Sequence, residues 1–206
     1  MTTENNAVIH SHRDDISTRM GMWFFLFSEL LLFGGLFLMY SVYRFTHQND
    51  FHIASEGMNI FLGTANTIIL LTSSLTMALA IAAMQRGKKI LSLTLQIITF
   101  LFGLAFLINK FFEWKAEFKE GNYPGSPILL AKPSGQVLYY GLYYTMVGLH
   151  GLHVIVGMTI IAFMIVFTIK GIINKDDYVK LEVAGLYWHL VDIIWIFLFP
   201  LFYLIN

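Results

Sequence analysis

Long apolar runs separated by short polar breaks divide this chain into five segments: 20–43, 58–84, 91–112, 137–169 and 185–205. About 20 mostly apolar residues cross the hydrocarbon core of a bilayer as a helix, so each run predicts one transmembrane helix. The predicted fold class is therefore all-α, an integral membrane bundle of five transmembrane helices. The fourth run is long for one span, which implies tilt or extension beyond the bilayer. It begins with Tyr139, Tyr140, Tyr143 and Tyr144, an aromatic set of the kind that settles at the membrane interface. The longest break, from Glu113 to Gln136, holds Gly121, Asn122, Pro124, Gly125, Pro127, Pro133 and Gly135. That is turn chemistry, with no room for a soluble domain. Residues 1–19 are read as a polar cytoplasmic N-terminus and 20–206 as a single membrane domain. The run that follows Asp14 and Asp15 is too long for a signal-peptide core and lacks a small-residue cleavage site, so it is expected to stay uncleaved. An odd number of helices and the lack of a recurring period argue against an inverted-repeat transporter.

Composition narrows this further. Of 206 residues, 57% are hydrophobic and 13% charged, the latter about half the share of a soluble domain. Thirteen Lys and Arg balance thirteen Asp and Glu, so no net field recruits nucleic acid. There is no cysteine, which removes disulfides, iron–sulfur clusters, thiolate zinc sites and the cysteine-bridged copper pair of electron-entry subunits. In the five-helix arrangement, eight Lys and Arg fall on the side of the N-terminus and five on the other. The positive-inside rule then predicts a cytoplasmic N-terminus and an outside C-terminus.

A charged side chain at the bilayer centre costs roughly 2.5–3.5 kcal/mol on insertion scales, so each ionisable residue within a run needs a reason. Glu29 lies nine residues into the first run, roughly 13 Å deep at the helical rise, among Phe24, Phe25, Phe27, Leu30, Leu31 and Phe33. It reads either as a carboxyl in a proton path or beside a gas or lipid channel, or as an acid that hydrogen-bonds a neighbouring helix and locks packing. In the last run His189 and Asp192 stand at i and i+3, close enough for an imidazole to donate to a carboxylate. A satisfied polar pair is expected there rather than a metal site. His150 and His153 share a face of the fourth helix, beside Gly148, Gly151 and Gly157, which permit close approach of a backbone or a lipid chain. One face of one helix is the wrong geometry for bis-histidine haem ligation, so packing and hydrogen bonding are expected. Asn109, Lys110, Glu113 and Glu117 read as a solvated helix end. Asn66, Thr67, Thr72, Ser73, Ser74 and Thr76 supply hydrogen-bonding groups along the second helix, Ala78 and Ala82 a small-residue contact, and Gly34 with Gly35 a close-packing point.

Catalytic constellations are missing from the sequence: no Glu-x-x-His pair, phosphate-binding loop, Gly-x-Ser-x-Gly elbow or His-Glu-x-x-His site occurs. Of seven histidines, His10, His12, His47 and His52 fall outside the runs, leaving His150, His153 and His189 within them.

Four segments carry a family resemblance. Tyr187-Trp188-His189-Leu190-Val191-Asp192-Ile193-Ile194-Trp195 is similar to the Tyr-Trp-His-x-Val-Asp-x-x-Trp signature of subunit III of the haem-copper respiratory oxidases. Gly148-Leu149-His150-Gly151-Leu152-His153-Val154-Ile155-Val156-Gly157 resembles that family's Gly-Phe-His-Gly-x-His-Val-x-x-Gly. Ser28-Glu29, and Asn66-Thr67 followed by Leu70 to Ser74, match further patterns in chain order. Leu149 departs from the more usual Phe, and Ala80-Ile81-Ala82 stands where the mitochondrial-type branch often has a His-His pair. The chain resembles the compact five-helix bacterial type rather than that seven-helix branch.

The resemblance implies a non-catalytic subunit of a proton-pumping terminal oxidase such as cytochrome c oxidase, in the bacterial cytoplasmic membrane. It implies association with the catalytic subunit I and other subunits, with a respiratory supercomplex as a wider assembly. Haem and copper are expected in partner subunits and none on this chain, while phospholipids are expected as bound structural molecules. Glu29 corresponds to the family's buried carboxyl, and Glu113, His150, His153, His189 and Asp192 to structural or lipid-cleft residues, none of them catalytic or metal-ligating. A quinol oxidase subunit III and the accessory protein of nitric oxide reductase share these patterns. Two readings of other classes are an independent membrane proton or ion pathway, prompted by Glu29 and Asp192, and a membrane haem carrier using the three intramembrane histidines.

Overall fold

The structure is a computed structural model that describes the backbone of residues 2–204 and the side chains of residues 17–204. Met1, residues 205 and 206, and the side chains of 1–16, including Asp14 and Asp15, lie outside the described residues. Among those described the chain is all helix and turn: α1 (Thr2–Thr46), α2 (Gln48–Glu56), α3 (Ile60–Gln85), α4 (Lys89–Glu120), α5 (Pro127–Leu130), α6 (Ser134–Ile169) and α7 (Val179–Tyr203). Five of these are long and apolar enough to span a membrane: Ser17–Thr46 of α1, then α3, α4, α6 and α7. The chain is a multi-pass membrane protein.

Local chemistry sets the helix ends. Asn59 caps α3, its side chain accepting from the Leu62 N–H at 3.1 Å, which satisfies one of the donors a helix start leaves over. Gly121 stops α4 in a left-handed conformation, φ 77°, with its N–H returned to Glu117 and Phe118 carbonyls. Ser126 caps α5, with Pro127 in its first turn.

The spans α3, α4, α6 and α7 form a square in which each helix packs on two neighbours, α3 on α4 and α7, and α6 on α4 and α7. Among the spans, α1 packs only on α6 and α7, so it stands outside the square. Buried positions on α3 (Gly63, Asn66, Leu70, Ser73, Met77, Ala80, Met84) and on α4 (Ser92, Gln96, Thr99, Gly103, Phe106, Lys110, Glu113, Glu117) alternate by threes and fours. That is the seam spacing of helices crossing at a shallow angle. The α4 seam is mostly polar, and the residues it turns outward, such as Ile90 and Phe111, are apolar and exposed. Lipid tails are as apolar as leucine, so polar and small side chains gain most by facing inward.

Aromatic side chains fill the diagonals of the square. Trp188 of α7 donates its indole N–H to Ser73 Oγ at 2.8 Å, and its ring fits against Gly157 of α6 and Gly103 of α4, where a Cβ would lie 2.8 and 2.9 Å from ring carbons. Gly157→Ala is expected to lower stability by about 1–3 kcal/mol through overpacking, read as a fall in thermal midpoint of the purified protein in detergent. At the far end of α7, carbonyls without intrahelical partners are capped by hydroxyls: Tyr40 donates to Leu201 O, and Tyr139 to Phe202 O at 2.6 Å.

Three expectations change. Gly34 and Gly35 are not a packing point within this chain, since a Cβ at either would meet nothing within 4 Å. Ala78 is exposed and Ala82 half-buried. They line a cleft of about 450 Å³ with Arg19, Trp23, Gln85 and His189, closed at one end by the Arg19–Glu182 ion pair at 2.8 Å. Lys110, Glu113 and Glu117 are not solvated, because they turn inward on the polar seam and are buried.

Candidate functional site

Glu29 sits about 18 Å along the span from Ser17 at the helical rise, on the side of α1 that meets α6. Its Oε2 lies 2.9 Å from His153 Nε2, and both side chains are largely covered, at 14% and 13% exposure. His153 Nδ1 is 2.7 Å from the Leu149 carbonyl. A carbonyl only accepts, so Nδ1 carries a hydrogen. The Glu29–Nε2 contact therefore holds one proton, on the carboxyl or on the ring, and the pair is neutral to its surroundings in either form. Phe33 packs edge-on to the His153 ring at 5.4 Å, and Tyr187 of α7 donates to the His153 carbonyl at 3.2 Å. The arrangement sets a buried carboxyl against an imidazole, and it ties the outlying α1 to the square. Glu29→Ala is expected to cost about 1–2 kcal/mol by leaving His153 Nε2 without its partner, while Glu29→Gln retains most of the stability; thermal unfolding of the purified variants checks this.

Glu113 anchors a second cluster. Its carboxylate accepts from Lys110 Nζ at 3.0 and 3.1 Å, from the Tyr143 hydroxyl at 2.6 Å and from the Tyr203 hydroxyl. Lys110 also donates to Tyr203 Oη, and its ammonium stands 4.7 Å from the Trp195 ring centroid and 4.9 Å from that of Tyr203. Here α4, α6 and α7 meet around one buried charge pair held by two hydroxyls and ring faces. One turn on, Glu117 Oε2 accepts from Asn122 Nδ2 at 3.0 Å, and Lys132 donates to Asn122 Oδ1 at 2.7 Å. This fastens the connection between α4 and α6.

The other intramembrane residues do not join these clusters. His150 is fully buried between Phe106, 5.5 Å away edge-on, and Trp195, 5.3 Å away. His189 does not bond Asp192. Its Nδ1 is 2.6 Å from Ser74 Oγ on α3, and neither Asp192 oxygen makes a well-formed hydrogen bond to a described residue. The structure thus sends His150, His153 and His189 to three different surroundings. Among the described residues, no group of three or more His, Cys, Asp or Glu could hold a metal ion.

Sequence reasoning missed Lys110, Tyr143, Tyr203 and Ser74 as partners. A signal was present for Lys110: it continues the three-four spacing of Gln96, Thr99, Gly103 and Phe106. Tyr143 likewise shares the three-four spacing of Tyr139, Met146 and His150 on α6.

Comparison with known proteins assigns the chain to a family. The family model described as "Cytochrome c oxidase subunit III" matches residues 2–206. A probable quinol oxidase subunit 3 of Staphylococcus saprophyticus is 32% identical over 100% of this chain and 98% of its own length. A cytochrome c oxidase subunit 3 of Alkalihalophilus pseudofirmus is 32% identical over 91% of this chain and 86% of its own. A protein of Aeropyrum pernix named heme-copper oxidase subunit I+III is 31% identical over 91% of this chain, which corresponds to only 22% of that longer protein. With one family model covering the five spans and full-length relatives above 30% identity, the chain belongs to the cytochrome c oxidase subunit III family, as subunit III of a haem-copper oxidase.

Proposed function

We propose that this chain is the non-catalytic subunit III of a proton-pumping terminal oxidase in aerobic respiratory electron transport, of the cytochrome c oxidase type. It sits against catalytic subunit I, which carries haem and copper together with the other partner subunits. The observation that carries the association is the relative named subunit I+III, in which one chain bears both names. The host membrane in this reading is the bacterial cytoplasmic membrane, with the N-terminus inside. Burial of Lys110 supports that orientation, because it removes one cation from the outer side and widens the positive-inside margin. Phospholipids occupy its lipid-facing clefts, and the complex joins a respiratory supercomplex. Glu29 with His153 supports proton uptake and oxygen access by keeping a neutral, hydrogen-bonded pair inside an otherwise apolar wall. Glu113, His150, His189 and Asp192 serve structure.

Quinol as electron donor is a second reading, favoured by the staphylococcal relatives, which match over the whole chain under the name quinol oxidase subunit 3. Gentle solubilisation and capture of the tagged chain tests both. A haem-copper subunit is expected in the eluate, and its absence overturns the assignment. A co-purifying subunit with a dinuclear copper entry centre marks the cytochrome c type, and a complex without one marks the quinol type.

A further inference from the structure

A cavity of about 830 Å³ lies where the end of α1 turns into α2, beside the end of α7. Its polar lining includes Arg44 of α1 with Gln48, Asn49 and His52 of α2, and its apolar lining includes Phe45 and Leu201. None of the four polar residues belongs to the two clusters above. Arg44 is half-buried, yet it makes no ion pair with an acid among the described residues. The two acids of α2 are turned elsewhere: Glu56 lies 3.5 Å from His52 Nδ1, and Asp50 packs its carboxylate against Gly135 of α6.

A cavity wall with a guanidinium and no carboxylate is complementary to an anion, and a phosphate matches the fork of an arginine. The side-chain amides of Gln48 and Asn49 add donors for its remaining oxygens. Depth decides what carries that phosphate. Arg44 stands in the last turn of α1, at the end of its span, where a cation meets the headgroup layer. Further into the span the walls turn apolar. Leu38, two turns before Phe45 on the same face of α1, is 69% exposed, and Phe197, one turn before Leu201 on α7, is 56% exposed. Phe37 closes the gap between the two helices there, with its ring 6.0 Å from that of Phe197. A phosphate at Arg44 with a hydrocarbon chain along Leu38 and Phe197 uses both parts of this layout, whereas a soluble phosphate leaves the apolar part unused. The ammonium of a zwitterionic headgroup finds no carboxylate in the wall, so the lipid that fits is anionic.

We propose that Arg44, with Gln48 and Asn49, holds the phosphodiester of an anionic phospholipid of the phosphatidylglycerol class at the C-terminal ends of α1 and α7. The site rests on the reading that phospholipids occupy the clefts of this chain, and commits it to one place and one headgroup.

Native mass spectrometry of the full chain tests it, with the protein in mild detergent and supplied with phosphatidylglycerol or phosphatidylcholine of matched acyl chains. The wild-type chain is expected to retain phosphatidylglycerol several-fold more than phosphatidylcholine. In Arg44→Gln that preference is expected to vanish, and in Lys119→Gln, at an exposed cation of α4, to stay unchanged. Equal retention of the two lipids by the wild-type chain overturns the site but leaves the lipid-filled clefts standing, as does an undiminished preference in Arg44→Gln or an equal loss in Lys119→Gln. Retention of neither lipid overturns both. Displacement of phosphatidylglycerol by inorganic phosphate marks a soluble anion as the ligand and overturns the lipid assignment. Loss of the lipid when the chain assembles with its partners marks a partner carboxylate at Arg44 and overturns it too. Should Arg44→Gln not fold, the double variant Gln48→Ala with Asn49→Ala, at exposed positions, takes its place, and an undiminished preference there overturns the site.

Discussion

Replacing Trp188 with alanine is expected to destabilise the bundle by about 3–5 kcal/mol, at the upper end for loss of a large buried side chain. In a bilayer the transfer part of that loss is small, because the helices separate into hydrocarbon rather than water. The packing part is large. The Trp188 ring lies against Gly103 and Gly157 on two different helices, so its removal opens a gap that neither glycine can fill. Its indole also satisfies Ser73 Oγ at 2.8 Å, which would be left to find another partner in a dry interior. The loss should appear as a much lower denaturant midpoint in mixed micelles. Trp188→Phe, which keeps most of the ring but not the N–H, should fall between. A Trp188→Ala variant with an unchanged midpoint would show that α7 does not hold the square together.

Lys110→Met is expected to cost a similar amount, about 3–5 kcal/mol, since removing one member of a buried pair leaves the other charge uncompensated. Glu113 would keep its bonds from Tyr143 and Tyr203 but lose the only cation in contact with it among the described residues. The double variant Lys110→Met with Glu113→Gln should recover most of the stability, because neither position then carries a buried charge. A double-mutant cycle on unfolding midpoints reads the coupling directly. Additive effects would mean that the two residues act independently, against the geometry of two contacts at 3.0 and 3.1 Å. Because Tyr203 closes the end of α7, the single variant should also loosen that end, seen as faster amide exchange near Phe202 and Tyr203.

The oxidase resemblance rested on residues that the structure divides among separate clusters. Glu29 and His153 belong to different motifs and are 124 positions apart, yet they form one site, and no spacing rule links them. His189 and Asp192 have the spacing of a local pair, but the helix turns the imidazole toward Ser74 of α3. Local spacing permits a contact; a neighbouring helix with a better partner overrides it.

What the sequence alone determined is the number and place of the spans, the all-helical class and the family. Each follows from residues close together in the chain: an apolar run is long enough to cross hydrocarbon or it is not, and backbone hydrogen bonding within a span leaves a helix as the outcome. Only the tertiary structure decided the inward face of each span and the partner of each polar group. Lys110 moved from an expected solvated end to a buried ion pair, and Ala78 with Ala82 moved from a helix contact to a cleft wall. The reason is that lipid offers no hydrophobic force to rotate one apolar helix against another. Rotation and register are set by the few polar, small and aromatic side chains that find complements on other helices, and those complements lie far away in the chain.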